Sequence, residues 1–267
     1  MSRDFGRFPA GGSHATTSEV RTYFESDPTT VSSPLTAFGK LTAYGVQLLQ
    51  RYSQLLAGRR VLDAGAGLGI VAAEVARKHG ASVVALDYSC WVDHVDRVAN
   101  PVQGDLMQLP LRDAAFDTVL CFEVLEHTLD PDRVIAEIFR VLRPGGSLLL
   151  STPSYCNTAG LLKVILEGCG LYERDTFAPF DRWKPKVLER RLTAFGVRRA
   201  LRKGGFRILG VDGAELFDAT FPFANRIPGL FERRWFLRLR NEVDRASSWP
   251  VLKWSSLHGV FHAERPR

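Results

Sequence analysis

The run Val61-Leu62-Asp63-Ala64-Gly65-Ala66-Gly67-Leu68-Gly69 constrains the fold more than any other stretch of the chain. An apolar strand ending in Asp-x-Gly-x-Gly-x-Gly lets the backbone turn tightly beneath a nucleotide-like ligand, because glycine removes the Cβ where ligand and backbone approach closely. Ile70 to His79 then shows helical apolar spacing at Val71, Val75 and Ala76 and stops at Gly80, so the loop joins a strand to a helix in a βα unit. Nicotinamide and flavin folds favour Gly-x-Gly-x-x-Gly, whose last glycine serves helix–strand packing. Taken alone, the loop also admits a plain turn-forming explanation.

The following segments continue the alternation. Ser82 to Leu86 is a short β-branched and apolar run closed by Asp87, and a carboxylate at the end of a second strand is placed to accept both hydroxyls of a ribose. Val102-Gln103-Gly104-Asp105-Leu106 supplies another strand-end acid, suited to an adenine amino group with Leu106 against the ring. Thr118 to Phe122 reads as a buried fourth strand. A helix over 131–143 takes Asp130 as N-cap, Pro131 at its first position, and Val134, Ile135, Ile138, Phe139 and Leu142 on one face. Ser147 to Leu150 reads as the fifth strand. Strands alternating with helices predict an α/β doubly wound fold, in which ligands bind outside the carboxyl ends of the strands.

Leu-Pro-Leu-Arg-Asp-Ala-Ala-Phe-Asp-Thr-Val-Leu-Cys-Phe-Glu-Val-Leu-Glu-His from Leu109, then Asp130-Pro131-Asp132-Arg133 and Arg143-Pro144-Gly145-Gly146, complete an ordered set with the glycine loop and Asp87. This order resembles the class I S-adenosylmethionine-dependent methyltransferases, especially the small-molecule group with the ubiquinone and menaquinone biosynthesis enzymes. The resemblance covers about residues 58 to 154. It implies a Rossmann-like seven-stranded sheet with one antiparallel strand; Arg207 to Val211 and His258 to His262 are assigned to the last two strands. It implies S-adenosylmethionine as cofactor and S-adenosylhomocysteine as product. The expected cofactor residues are Asp63, Gly65, Ala66, Gly67, Gly69, Asp87, Tyr88, Asp105, Leu106, Phe122 and Glu123.

Outside that core, Glu19 to Glu25 and Leu35 to Leu56 read as helices. In the resembled family such helices lid the cofactor and substrate, which makes Tyr23 and Tyr44 candidates for the substrate pocket, against simple packing of an apolar face. Asn157 to Gly168, Thr193 to Lys203 and Ile227 to Ala246 read as further helices, with a helical insertion before the last strand. The expected organisation is an arm over 1–20 and one methyltransferase domain over 21–267. Within it, 21–57 would supply lid helices, 58–154 the cofactor-binding core and 155–267 the substrate-shaping part.

A sulfonium methyl is already electrophilic, so such a protein needs chiefly to align an acceptor, exclude water and remove a proton where necessary. His127, just past the fourth strand, is the candidate base, since an unperturbed imidazole titrates near pH ~6.5; orienting its loop is the competing role. His94 and His262 have weaker claims, and Glu123 is a candidate for holding the amino acid end of the cofactor. The expected reaction is methylation of a hydroxyl on a metabolite, natural product or glycan or lipid precursor. Nitrogen methylation, RNA methylation and a non-catalytic cofactor-binding scaffold are the alternatives.

Composition sets wider bounds. The net charge of +6 favours an acidic or lipid-linked acceptor. Nucleic acid is disfavoured, because Phe122-Glu123-Val124-Leu125 stands where amino methylation of nucleic acids places Asn/Asp-Pro-Pro-aromatic. No segment reaches the ~18 apolar residues of a membrane span, and the expected location is cytoplasmic. Phe231 to Arg240 mixes bulky apolar side chains with cations. It reads either as a helix burying Leu230, Trp235 and Leu237 against the sheet or as a basic amphipathic helix making peripheral membrane contact. Cys90, Cys121, Cys156 and Cys169 have no C-x-x-C spacing, so no metal site is expected.

Overall fold

Side chains that alternate between two apolar layers define the sheet at the centre of the protein. The computed structural model describes residues 16–26, 36–37, 40–89, 99–171, 188–224 and 227–267; Cys90 and His94 lie outside the described residues. Seven strands form the sheet: β3 (Arg60–Ala64), β4 (Ser82–Asp87), β5 (Asn100–Gln103), β6 (Phe116–Phe122), β7 (Leu142–Pro153), β8 (Arg207–Ala214) and β9 (His258–Glu264), in spatial order β5-β4-β3-β6-β7-β9-β8. Neighbours from β5 to β7 pair in parallel, and β9 runs antiparallel to both β7 and β8. The seven-stranded sheet with one antiparallel strand is therefore as expected. Its single reversed strand starts at the rim where its parallel neighbours end.

Each central strand is buried on both sides. Val61, Leu120, Leu149 and Val260 enter one core layer, while Leu62, Val119, Cys121, Leu148, Leu150 and Phe261 enter the other. The first layer is closed by α2 (Ala43–Arg51) through Leu48 and Leu49 and by α3 (Ile70–His79) through Val71 and Val75. The second is closed by α4 (Pro131–Val141) through Val134, Ile135 and Ile138 and by α6 (Ala194–Lys203) through Val197 and Leu201. Fully burying each such side chain stabilises the fold by about 1.5–3 kcal/mol. Local chemistry sets the ends. Asp130 caps α4 by accepting from Arg133 N ahead of Pro131, and Thr193 caps α6 by accepting from Gly196 N.

Several elements depart from their sequence expectation. The helix expected over 35–56 is instead a short hairpin, β1 (Thr36–Ala37) with β2 (Lys40–Leu41), followed by α2 and a 3-10 turn at Ser53–Leu55. Thr42 sits extended at ψ 164 and its hydroxyl accepts from Gly45 N, which starts the helix there. The periodic Leu41 misled because it packs on the same core layer from the hairpin. At the other end, α1 (Thr17–Ser26) begins inside the expected arm, because Thr16 and Glu19 form a reciprocal capping box. In the core, α4 stops at Val141 because Leu142 already pairs with Phe116 in the sheet.

The expected helix over 227–246 is likewise shorter. Gly229 has φ 70 and Arg233 is extended, so a 3-10 turn at Leu230–Glu232 precedes α8 (Arg234–Arg245). Inward packing of Trp235 and Leu237 is overturned as well. They are 58% and 38% exposed, whereas Phe236 is buried and meets Phe217 of α7 (Leu216–Thr220) edge-on. Among the described residues no helix is long and apolar enough to cross a membrane.

Ile138→Ala, at a fully buried position of α4, is expected to cost about 2–5 kcal/mol of stability, from lost burial plus the residual cavity. Chemical denaturation checks this; a loss under about 1 kcal/mol would mean that α4 does not anchor its layer.

Candidate functional site

The glycine loop, the end of β4 and the turn after β6 meet at one rim of the sheet. Gly65 N and Ala66 N both donate to Leu86 O, at 2.8 and 2.9 Å, which folds the loop back onto β4. Asp87 then locks it: Oδ2 accepts from Gly67 N at 2.7 Å, while Oδ1 accepts from Ser89 N and Ser89 Oγ. Gly65 stands at φ 85, and a Cβ there would come within 2.3 Å of Val124 Cγ2. The turn after β6 is thereby pressed against the loop, and only glycine fits between them. Gly69, at φ 68, ends the loop and opens α3.

Asp63, the last carboxylate before the loop, is 3% exposed, and its Oδ2 has no hydrogen-bond partner. Burial, and next the charge of Asp87, pushes its pKa up to about 7. A buried acceptor without a donor is costly, so this atom is suited to a ligand that brings one. Asp105 folds its own turn, accepting from Met107 N at 2.8 Å, and Leu106 is buried in the core. Tyr88, Phe122 and Ala66 are each half-buried near the same strand ends.

The segment past β6 carries the polar groups of the other half. Glu123 occupies the left-handed region at φ 57, a strain of about 1–3 kcal/mol for a non-glycine residue. Its Oε1 accepts from Ser151 Oγ at 2.6 Å and its Oε2 pairs with His258 Nε2 at 3.2 Å. His127 is buried in the 3-10 turn Leu125–His127, with Nδ1 2.8 Å from Leu188 O and 3.3 Å from Glu189 Oε2. Its Nε2 is 3.7 Å from Glu126 Oε1. Glu126 also accepts from Thr152 Oγ1, so the turn after β6 is tied to the end of β7.

Tyr44, on α2, is half-buried; burial raises its phenol pKa, and Asp212, Glu123 and Glu215 raise it further. The hydroxyl therefore lies within electrostatic reach of the rim and stays protonated. Tyr23 lies on α1, half-buried. His262 points elsewhere, its ring edge-on to Tyr52, and burial lowers its pKa. Sequence reasoning missed His258, Glu189 and Glu215. The available signal was His258 as the opening residue of an antiparallel last strand, which must begin at the rim where parallel strands end.

Part of the chain is similar to known proteins. Residues 62–150 match a family model described as a methyltransferase domain. A protein of Mycolicibacterium smegmatis named a probable S-adenosylmethionine-dependent methyltransferase is 46% identical over 113 residues, covering 39% of this chain and 42% of the relative. A ubiquinone biosynthesis O-methyltransferase of Xanthomonas oryzae pv. oryzae is 40% identical over 119 residues, covering 41% of this chain and 49% of the relative. The chain thus matches less than half the length of either relative. In structure, an S-adenosylmethionine-dependent methyltransferase of Mesorhizobium loti superposes with a TM-score of 0.55 at 21% identity, over 84% of this chain and 98% of that one, which establishes the fold. Residues 62–150 are thus similar to a methyltransferase domain, and they lie within a sheet whose fold the Mesorhizobium loti enzyme shares.

Proposed function

We propose that the protein transfers the methyl group of S-adenosylmethionine to a hydroxyl of a small molecule. The observation that carries this reading is the convergence on one rim of Gly67 N with Asp87 Oδ2 and of Gly65 with Val124. In this reading the ribose hydroxyls take the remaining lone pair of Asp87 Oδ2 and the place on Oδ1 that Ser89 Oγ occupies, and the glycine loop underlies the amino acid end. Asp105 and Leu106 face the adenine, with Tyr88, Phe122 and Ala66 around the nucleoside. The unpartnered Oδ2 of Asp63 and the Glu123 carboxylate suit the positive charge that this donor carries. When bound, S-adenosylmethionine supplies an electrophilic sulfonium methyl; the chain's own residues orient the reactants, exclude water and take up the acceptor proton.

His127 is the proposed proton acceptor. In its neutral form, with Nδ1–H donated to Leu188 O, the ring keeps its lone pair on Nε2. Tyr23 and Tyr44, from the elements ahead of β3, are proposed to border the acceptor. Isothermal titration with S-adenosylmethionine, S-adenosylhomocysteine and NAD tests the class: binding of the first two without NAD is expected, and binding of NAD alone would overturn it.

Three further outcomes are expected. Asp87→Ala should weaken binding of both S-adenosylmethionine and S-adenosylhomocysteine, by about 1.5–3 kcal/mol for charged hydrogen bonds; unchanged affinity in the titration removes the ribose assignment. His127→Ala should lower the methyl-transfer rate about 10²–10⁴-fold with little change in cofactor affinity, and an unaltered rate–pH profile would exclude the base role. Asp63 is largely protonated below its pKa of about 7, and a bound cation favours its ionised form. S-adenosylmethionine affinity should therefore rise with pH up to about 7 and level off above it, with proton release on binding in the acid range. Asp63→Asn should abolish that acid limb; a persistent limb would assign it to another group.

A further inference from the structure

His258 opens β9 and stands in register with Pro153 at the end of β7 and with Ala214 at the end of β8. Its ring is held from both edges. Nε2 lies 3.2 Å from Glu123 Oε2, and Nδ1 lies 3.3 Å from Glu215 Oε2. Both glutamates adopt φ 57, in the left-handed region. Two non-glycine residues held there on either side of one buried imidazole show a strained arrangement that the surroundings over-determine, a pattern that clusters at functional sites. Glu123 is fixed further by Ser151, through Oγ to its Oε1 at 2.6 Å and through Ser151 O to its own N–H at 3.0 Å. The next residue, Val124, is wedged against Gly65.

We propose that His258 is a positioning residue: its imidazolium, seated on Glu215, holds the Glu123 carboxylate as a fixed anion beside the glycine loop, for the positive charge of the methyl donor. The proposal rests on the methyltransferase reading above. A protonated imidazole presents one N–H at each edge, so it can bridge two carboxylates that would otherwise repel each other across the gap. A carboxylate held in place before the ligand arrives costs no reorganisation when the cation binds. The methyl donor carries an ammonium as well as the sulfonium. Loss of the sulfonium charge on transfer would weaken the attraction and favour product release.

The charge state of the ring fits this task. Burial alone would lower the His258 pKa, but Glu123 and Glu215 outweigh it and the net shift is upward. The facing groups are Glu123 from the turn after β6, Glu215 from the turn between β8 and α7, and, at longer range, Glu189 from the segment clasping His127. The imidazolium is therefore intact below this raised pKa and lost as pH climbs through it. Donor affinity should then show an alkaline limb due to His258, opposite to the acid limb assigned to Asp63.

The test is isothermal titration of S-adenosylmethionine across pH on the wild type, His258→Gln and Glu215→Gln, with the His258 ring titration followed by NMR on the wild type and Glu215→Gln. His258→Gln is expected to weaken binding at neutral pH at least about tenfold, the scale of a lost charge-assisted hydrogen bond, and to lose the alkaline limb. Glu215→Gln keeps the ring but should move both its NMR midpoint and the alkaline limb to lower pH, a joint shift that a purely structural role does not produce. Wild-type affinity and pH dependence in His258→Gln, or a ring midpoint that moves without the binding limb, overturns the proposal alone. A wild type that binds no S-adenosylmethionine overturns the methyltransferase reading itself.

Discussion

Two-sided burial of the central strands is the constraint on which everything else depends. Val61 and Leu62, Val119 and Leu120, and Leu148 and Leu149 face opposite core layers, so a polar side chain in that part of the sheet is costly unless it finds a partner. Thr118 illustrates the rule, since its hydroxyl is satisfied by Leu55 O at 2.6 Å. Polar chemistry is displaced to the strand ends. Parallel direction then gathers Asp63, Asp87 and Glu123 at one rim, and the reversed β9 brings its first residue, His258, to the same place.

That rim is held together by contacts that also hold the fold. Asp87 bonds the glycine loop, Val124 fills the space left by the missing side chain of Gly65, and Glu126 joins the turn after β6 to β7 through Thr152. Arg190 extends the clasp by donating to Thr128 O and Leu129 O. The groups suited to ligands are thus placed by a rigid scaffold rather than by free loops. Asp63 and Glu123 carry the cost of that placement, one as an unsatisfied buried oxygen and the other as strained backbone.

Net charge and local charge point in different directions. The chain carries +6 overall, with exposed arginines at 233, 234, 238 and 245 in and beside α8. Around the rim, however, the buried or half-buried ionisable groups include Asp63, Asp87, Glu123, Glu126, Glu189 and Glu215, with the two histidines His127 and His258. A composition argument about acidic partners describes the outer surface. It does not describe the environment that reacting groups would meet, because a few buried charges in a low dielectric outweigh many solvated ones.

The strands, α3 and α6 were legible in the sequence because burial imposes a period on the residues and caps such as Thr193 mark the ends chemically. The hairpin before α2 was not, since Leu41 continues a helical period while being held by strand pairing. The break before α8 was marked by Pro228-Gly229 but masked by the apolar run that follows. By itself the sequence determined the βα framework and the glycine loop with Asp87, because close approach and tight turning demand those residue types at that spacing. Tertiary structure alone decided that Glu123 and Glu215 share the imidazole of His258, since the three residues are separated by long stretches of chain and meet only when β9 is inserted antiparallel between β7 and β8.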